Sequence, residues 1–221
     1  MTYLKSRRGL ARPVQSPGEE IANAVSHGFG ALLAVAGMVL LTLRSKGYFD
    51  GEGNPVWVYL IFTATMILMF LSSTLYHAFR RKTIKGLFKI FDHAGIYLFI
   101  AGTCTPIALL GVRGVLGWVC FGVEWVSAIT GVILYALNCK ILKKIEIAVY
   151  LLMGWAIMLC VFRLIRTVPF VSFVLLIAGG FVYTLGILWY IKPARRGAHT
   201  VWHLFVLGGA VSHWWSVWFL G

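Results

Sequence analysis

Apolar residues dominate seven stretches of the chain, near residues 26–43, 56–76, 90–110, 116–137, 145–162, 170–190 and 199–220, and the breaks between them are short and polar. A helix needs about 20 apolar residues to cross roughly 30 Å of hydrocarbon, so each stretch predicts a transmembrane helix. A helix satisfies its backbone hydrogen bonds within its own segment, which a lipid environment demands. The expected fold is all-α: a polytopic, seven-helix transmembrane domain over residues 19–221, preceded by a basic tail over residues 1–18 that contains Pro13 and Pro17. No internal repeat or low-complexity segment is visible.

Composition agrees with the pattern. The chain is 60% hydrophobic and only 12% charged, with a mean hydropathy of +0.85, whereas soluble domains carry about 25% charged residues. The net charge of +13 taken alone suggests nucleic acid, but its distribution argues for a membrane. Of the 20 lysines and arginines, 15 lie before span one, between spans two and three, after span four, or after span six. The other five, Arg44, Lys46, Arg113, Arg163 and Arg166, fall in the alternate breaks. Lysine and arginine concentrate in cytoplasmic loops, so the expected N-terminus is cytoplasmic and the C-terminus outward. The basic balance then reports topology and anionic lipid headgroups, and no nucleic-acid partner is expected.

Cys104, Cys120, Cys139 and Cys160 sit singly in or at the ends of different spans and form no Cys-x-x-Cys pair. They read as packing residues, neither a disulfide frame nor a thiolate metal site. The apolar run that follows Ser6-Arg7-Arg8 has no convincing cleavage site and is read as the first span.

The chemistry is in the polar positions that interrupt the apolar runs. His199-Thr200-Val201-Trp202-His203 opens span seven. Two histidines four apart share one helical face, which allows both imidazoles to point at one metal ion; two separate polar residues at a membrane boundary is the other reading of the pair alone. Span two ends in Ser72-Ser73-Thr74-Leu75-Tyr76-His77, and span three opens with Phe91-Asp92-His93. The charge count alone sets the topology, yet it brings His77, Asp92, His199 and His203 to one depth just inside the cytoplasmic boundary. Five of the six histidines fall at cytoplasmic ends, and three suffice for a catalytic zinc site that leaves its fourth position open. Imidazoles without thiolates suit Zn²⁺, with Fe, Ni or Cu open on ligand type.

Other polar residues read differently. Glu19 and Glu20 suit the positive end of a first helical turn. His27, four residues after Asn23 on one face, is either a headgroup-level residue or a neighbour of the site. Asp92 and His93 are about 100° apart around a helix and do not both face the metal. For Asp92 itself, helix capping or an ion pair with the basic loop is the competing reading. Glu124 lies about two turns into span four from the outer side, where an ionised carboxylate costs about 2.5–3.5 kcal/mol on insertion scales. His213 is roughly 15 Å along the helix from His203, the wrong depth to share its metal. Pro106 is expected to kink span three, with Thr103 and Thr105 hydroxyls available to the freed backbone, and Gly179, Gly180 and Gly186 to admit a close neighbouring helix.

Ser73-x-x-x-His77, Asp92 in span three, His199-x-x-x-His203 in span seven, and Glu20-x-x-Asn23-x-x-x-His27 at the start of span one resemble the progestin and adiponectin receptor family, in particular its bacterial hemolysin III-like branch. The resemblance runs from about Glu19 to Gly221. It implies seven helices, an intracellular N-terminus, and zinc held by His77, His199 and His203, with Asp92 hydrogen-bonding a zinc-bound water and Ser73 beside it. It also implies a multi-pass protein of the bacterial inner (plasma) membrane, whose partners are membrane lipids serving as substrate or ligand. Eukaryotic members are linked to ceramidase-like hydrolysis and hormone reception, bacterial members to membrane lipid homeostasis. Three functions follow as expectations: a zinc-dependent hydrolase of lipid amide or ester bonds with Asp92 and Ser73 as catalytic residues, a membrane-state sensor with structural zinc, and, with the least deep polarity to support it, a pore-forming hemolysin.

Overall fold

The structure, a computed structural model, describes residues 15–48, 53–191 and 196–220, together with the backbone of residues 3–4 and 12–13. The last two pairs form a two-residue antiparallel ladder, β1 (Tyr3–Leu4) with β2 (Arg12–Pro13). Lys5, Arg7, Arg8, Lys192 and Arg195 of the basic count lie outside the described residues.

The remaining elements among the described residues are helices, apart from an isolated bridge between Lys46 and Gly53. Helix α1 (Pro17–Ser45) starts with a capping box: Ser16 Oγ accepts from the Glu19 amide at 3.2 Å and the Glu19 carboxylate accepts from the Ser16 amide at 2.7 Å, and Pro17 supplies the φ a first helical residue needs. Then follow α2 (Val56–Ala78), α3 (Lys82–Pro106) and α4 (Gly114–Ala136). Next comes α5 (Leu142–Ala156), which continues through a 3₁₀ turn, Ile157–Cys160, into α6 (Val161–Thr167). The chain ends in α7 (Phe170–Tyr190) and α8 (Ala198–Trp218). Counting α5 and α6 as one rod, the described residues form seven rods.

Six of them are long and apolar enough to cross a membrane. The exception is α8, whose three histidines and four tryptophans lower its mean hydropathy. Outward-facing side chains are apolar all round the bundle: Leu32 is 70% exposed, Leu159 89% and Phe170 79%. Such a surface is stable only against lipid, and the protein is a multi-pass membrane protein.

The helices pack mainly against their sequence neighbours, α1 on α2, α2 on α3, α3 on α4 and α7 on α8, and α8 returns to α1. Helices α2 and α3 are the centre, with Tyr59, Phe62, Phe70 and Tyr97 fully buried. Close approach of α7 to α8 depends on missing Cβ atoms: a methyl at Gly179 would collide with the His213 ring, and one at Gly186 would come within 2.6 Å of Phe205 Cβ. Gly179→Ala is expected to destabilise the bundle by about 1–3 kcal/mol, the usual cost of overpacking, read as a fall in the thermal unfolding midpoint in detergent.

Two expectations change. Helix α3 begins at Lys82, ten residues before Asp92, so Asp92 is mid-helix and cannot be a cap. At Pro106, which has no N–H to donate, the helix passes into a π turn, Ile107–Val112. The threonine hydroxyls take other partners, Thr103 donating to the Phe99 carbonyl and Thr105 to the Ala101 carbonyl. The four cysteines are free thiols, Cys120 and Cys160 in contact at 3.5 Å.

Candidate metal centre

Three imidazoles converge where α1, α2 and α8 meet. His77 ends α2, and His199 and His203 occupy successive turns of α8. One ring nitrogen of each lies within 4.8 Å of the others, and the Nε2 atoms of His199 and His203 are 3.1 Å apart. The Nε2 of His77 is buried without a hydrogen-bond partner. A buried polar atom normally has one, and an unpaired imidazole nitrogen aimed at two others fits a metal ion as the missing partner.

The opposite ring nitrogens are held from outside the cluster. His77 Nδ1 is 2.7 Å from Glu20 Oε2, whose second oxygen accepts from Lys85 Nζ at 2.6 Å. His203 Nδ1 faces the Asn23 carbonyl at 3.3 Å. Metal-ligating histidines are oriented this way, with the far nitrogen on a carboxylate or carbonyl that fixes the tautomer. The donor set is three imidazole nitrogens with no thiolate among them, and this three-histidine group could hold a metal ion.

Asp92 and Ser73 face each other across α3 and α2, with the Asp92 carboxyl in electrostatic reach of His77. Among the described residues the metal-competent group contains the three histidines and does not extend to Asp92. All five positions singled out in the sequence thus come to one place. His213 does not: it lies deep in α8, its Nε2 on the Leu176 carbonyl at 3.1 Å. Glu124 is buried on α4, away from the triad.

Three residues of α1 do more than their sequence context implies, and Glu146 contributes a contact with no sequence signal. Glu20, read as a helix-dipole residue, spends its carboxylate on His77 and Lys85. Asn23 binds α8 twice, through its carbonyl to His203 and its side-chain oxygen to Thr200 at 2.6 Å. His27 stacks on His203 with ring centroids 3.7 Å apart and planes 14° from parallel. Their 3-4 spacing on α1 signalled a shared face without saying what it meets. Glu146, unremarked, faces His93 at 3.5 Å, and His93 stacks on Tyr135, so His93 belongs to α4 and α5, not to the triad.

The triad opens into a cavity of about 1660 Å³, larger than the roughly 300–1,000 Å³ of drug-sized sites. It exists because α5 makes little contact with α3 and α7. Asp92, Ser73 and Tyr76 line it near the histidines, and Ile107, Ile157 and Leu176 line its depth.

Residues 16–214 match the family described as "Haemolysin-III related". The chain belongs to that family. It is 35% identical over 210 residues to Hemolysin-3 of Bacillus cereus, covering 95% of each chain, and 36% identical over 201 residues to the Hemolysin-3 homolog of Bacillus subtilis strain 168, covering 91% of this chain and 93% of the relative. The human monocyte to macrophage differentiation factor is 30% identical over 206 residues, 90% of this chain and 83% of that one. The motif resemblance to the progestin and adiponectin receptors and their bacterial haemolysin III branch is therefore upheld, and every residue of the triad lies inside the matched region.

Because the Glu20 carboxylate orients His77, Glu20→Gln in this haemolysin III relative is expected to weaken metal affinity about 10–100-fold, measured by competition against a chromophoric chelator. An unchanged affinity would leave Glu20 only its ion pair with Lys85.

Proposed function

We propose that this protein is a zinc-dependent hydrolase of lipid amide or ester bonds, acting in lipid homeostasis of a bacterial inner membrane. The observation that carries the reading is a three-imidazole cluster opening, beside a carboxylate, into a large cavity with an apolar depth. Zinc held by three protein ligands supplies Lewis acidity toward a carbonyl and makes a water acidic near pH 7.

The chain's own residues supply the rest. His77, held by Glu20, and His203, held by the Asn23 carbonyl, present their Nε2 atoms inward. Asp92 takes a proton from the attacking water and returns it to the leaving amine or alkoxide. Ser73, whose buried hydroxyl has no other partner among the described residues, stands beside the Asp92 carboxyl and is placed to orient it when the site is loaded. The apolar depth of the cavity takes a lipid chain and excludes bulk water from the reacting bond. The test is metal analysis of purified protein combined with a lipid-product assay with and without chelator; a product rate that chelation leaves unchanged refutes the hydrolase.

The same reading has seven spans, α8 included, with a cytoplasmic N-terminus and an outward C-terminus. It is supported by the 15 lysines and arginines and by the basic residues around the triad end of the cavity. Fusions to compartment-specific reporters at both ends check it: an active periplasmic reporter at Met1 reverses the orientation.

A sensor is the second reading, favoured by one observation. The Glu20–His77 and Asn23–His203 contacts join α1, α2 and α8 at a single point, where a metal would clamp three helices. A pore-forming haemolysin has less support, because the deep wall of the cavity is mainly apolar and carries few polar side chains.

A further inference from the structure

The cavity wall changes character with depth. At the triad end its rim carries Lys89 from α3, Lys140, Lys143 and Lys144 from the start of α5 and the turn before it, and Arg196 ahead of α8. The carboxylates nearby face other groups: Glu20 binds His77 and Lys85, Glu19 accepts from the Ser16 and Gly197 amides, and Glu146 stands 3.5 Å from His93 Nδ1. Lys143 donates to Asn138 Oδ1 and lies over the Tyr135 ring. Lys89, Lys140 and Lys144 are exposed and, among the described residues, have no carboxylate at ion-pair distance. Asp92 lies only within electrostatic reach of Lys89.

Deeper, the wall is mainly apolar through Ile147, Leu151, Ile107, Ile157 and Leu176, with Thr103, Tyr183 and Thr184 among them, and it ends near His213. The path from His203 to His213 is roughly 15 Å at 1.5 Å per residue. An occupant that matches both zones has an anionic head at the lysine rim, a chain in the shaft, and its head-to-chain linkage level with the histidines. A free phosphate would leave the shaft unused.

We propose that Lys89, Lys140 and Lys144 form the headgroup subsite for a phosphate-bearing lipid, so that the cavity takes an anionic glycerophospholipid in preference to a zwitterionic or neutral one. The inference rests on the lipid-hydrolase reading for its chemistry and names that reading's substrate class. It is tested by binding, so the two fail separately.

The experiment titrates phosphatidylglycerol and phosphatidylcholine of identical acyl chains into the delipidated full-length protein in detergent, with bound lipid read by native mass spectrometry. Phosphatidylglycerol is expected to bind at least about tenfold more tightly, as a few lysine charges imply. Lys89→Gln with Lys140→Gln and Lys144→Gln abolishes that preference, and the corresponding arginine substitutions keep it. Arg80→Gln with Arg81→Gln and Lys82→Gln, at positions that do not line the cavity, leaves it intact. Equal loss in both glutamine triples would mean diffuse surface attraction and overturn the subsite. Complete displacement of phosphatidylglycerol by inorganic phosphate overturns it in favour of a free-phosphate site. Equal binding of the two lipids overturns it and leaves hydrolysis standing, whereas a rim-dependent preference without chelator-sensitive turnover upholds the subsite and removes the hydrolase.

Discussion

Asp92→Asn is expected to keep the metal and lose turnover by about 10²–10⁴-fold, the range general acid–base catalysis supplies. Asparagine preserves the size of the side chain and its place beside Ser73, but it cannot accept a proton. The residue stands beside the histidines without joining the group whose ligand atoms lie within 4.8 Å of one another. Metal content by elemental analysis and lipid-product release from the same preparation decide the matter. If Asp92→Asn loses the metal, Asp92 is a ligand and the clamp reading gains. If it keeps the metal and still restores normal membrane composition in a deletion strain, sensing replaces hydrolysis.

His77→Ala is expected to weaken metal binding by more than the roughly 10–100-fold that altering an orienting partner costs, because it removes one of three donors. It also frees the Glu20 carboxylate. That loss is separable from misfolding, since Lys85 still holds Glu20 at 2.6 Å in the parent arrangement and the triad sits at a helix end. His213→Ala serves as the comparison, lying deep in α8 on the Leu176 carbonyl, and it should retain the metal. Full retention in His77→Ala would refute the three-histidine assignment, and loss in His213→Ala would refute the separation by depth.

Much of the site was legible because helical geometry is local. His199 and His203 share a face wherever α8 packs, as do Ser73 and His77 on α2, and a charge count sufficed to bring the two helix ends to one level. Glu20 shows where that logic stops. Its place in the first turn of α1 already had a sufficient local explanation, so nothing in the sequence demanded the contact with His77, 57 residues away. Asp92 shows the converse: the apolar run begins near residue 90, but the helix begins at Lys82, because a helix can extend past the hydrocarbon into polar residues that hydropathy ignores.

Sequence alone determined that the chain is a multi-pass bundle of apolar helices with a basic end, six of them long and apolar enough to cross a membrane, since a hydrocarbon solvent permits little besides helices of that length and makes every polar interruption costly. It also determined which residues share each helix face, because that follows from 3.6 residues per turn. Only the tertiary structure decided which face meets which. The stacking of His27 on His203, the Asn23 link to α8 across 180 residues, the departure of His93 to Glu146, and the cavity left by the loose seating of α5 all depend on side-chain volumes at helix interfaces. Gly179 against His213 is one such interface. Packing of this kind is a property of pairs of distant surfaces, and no periodicity within one segment encodes its partner.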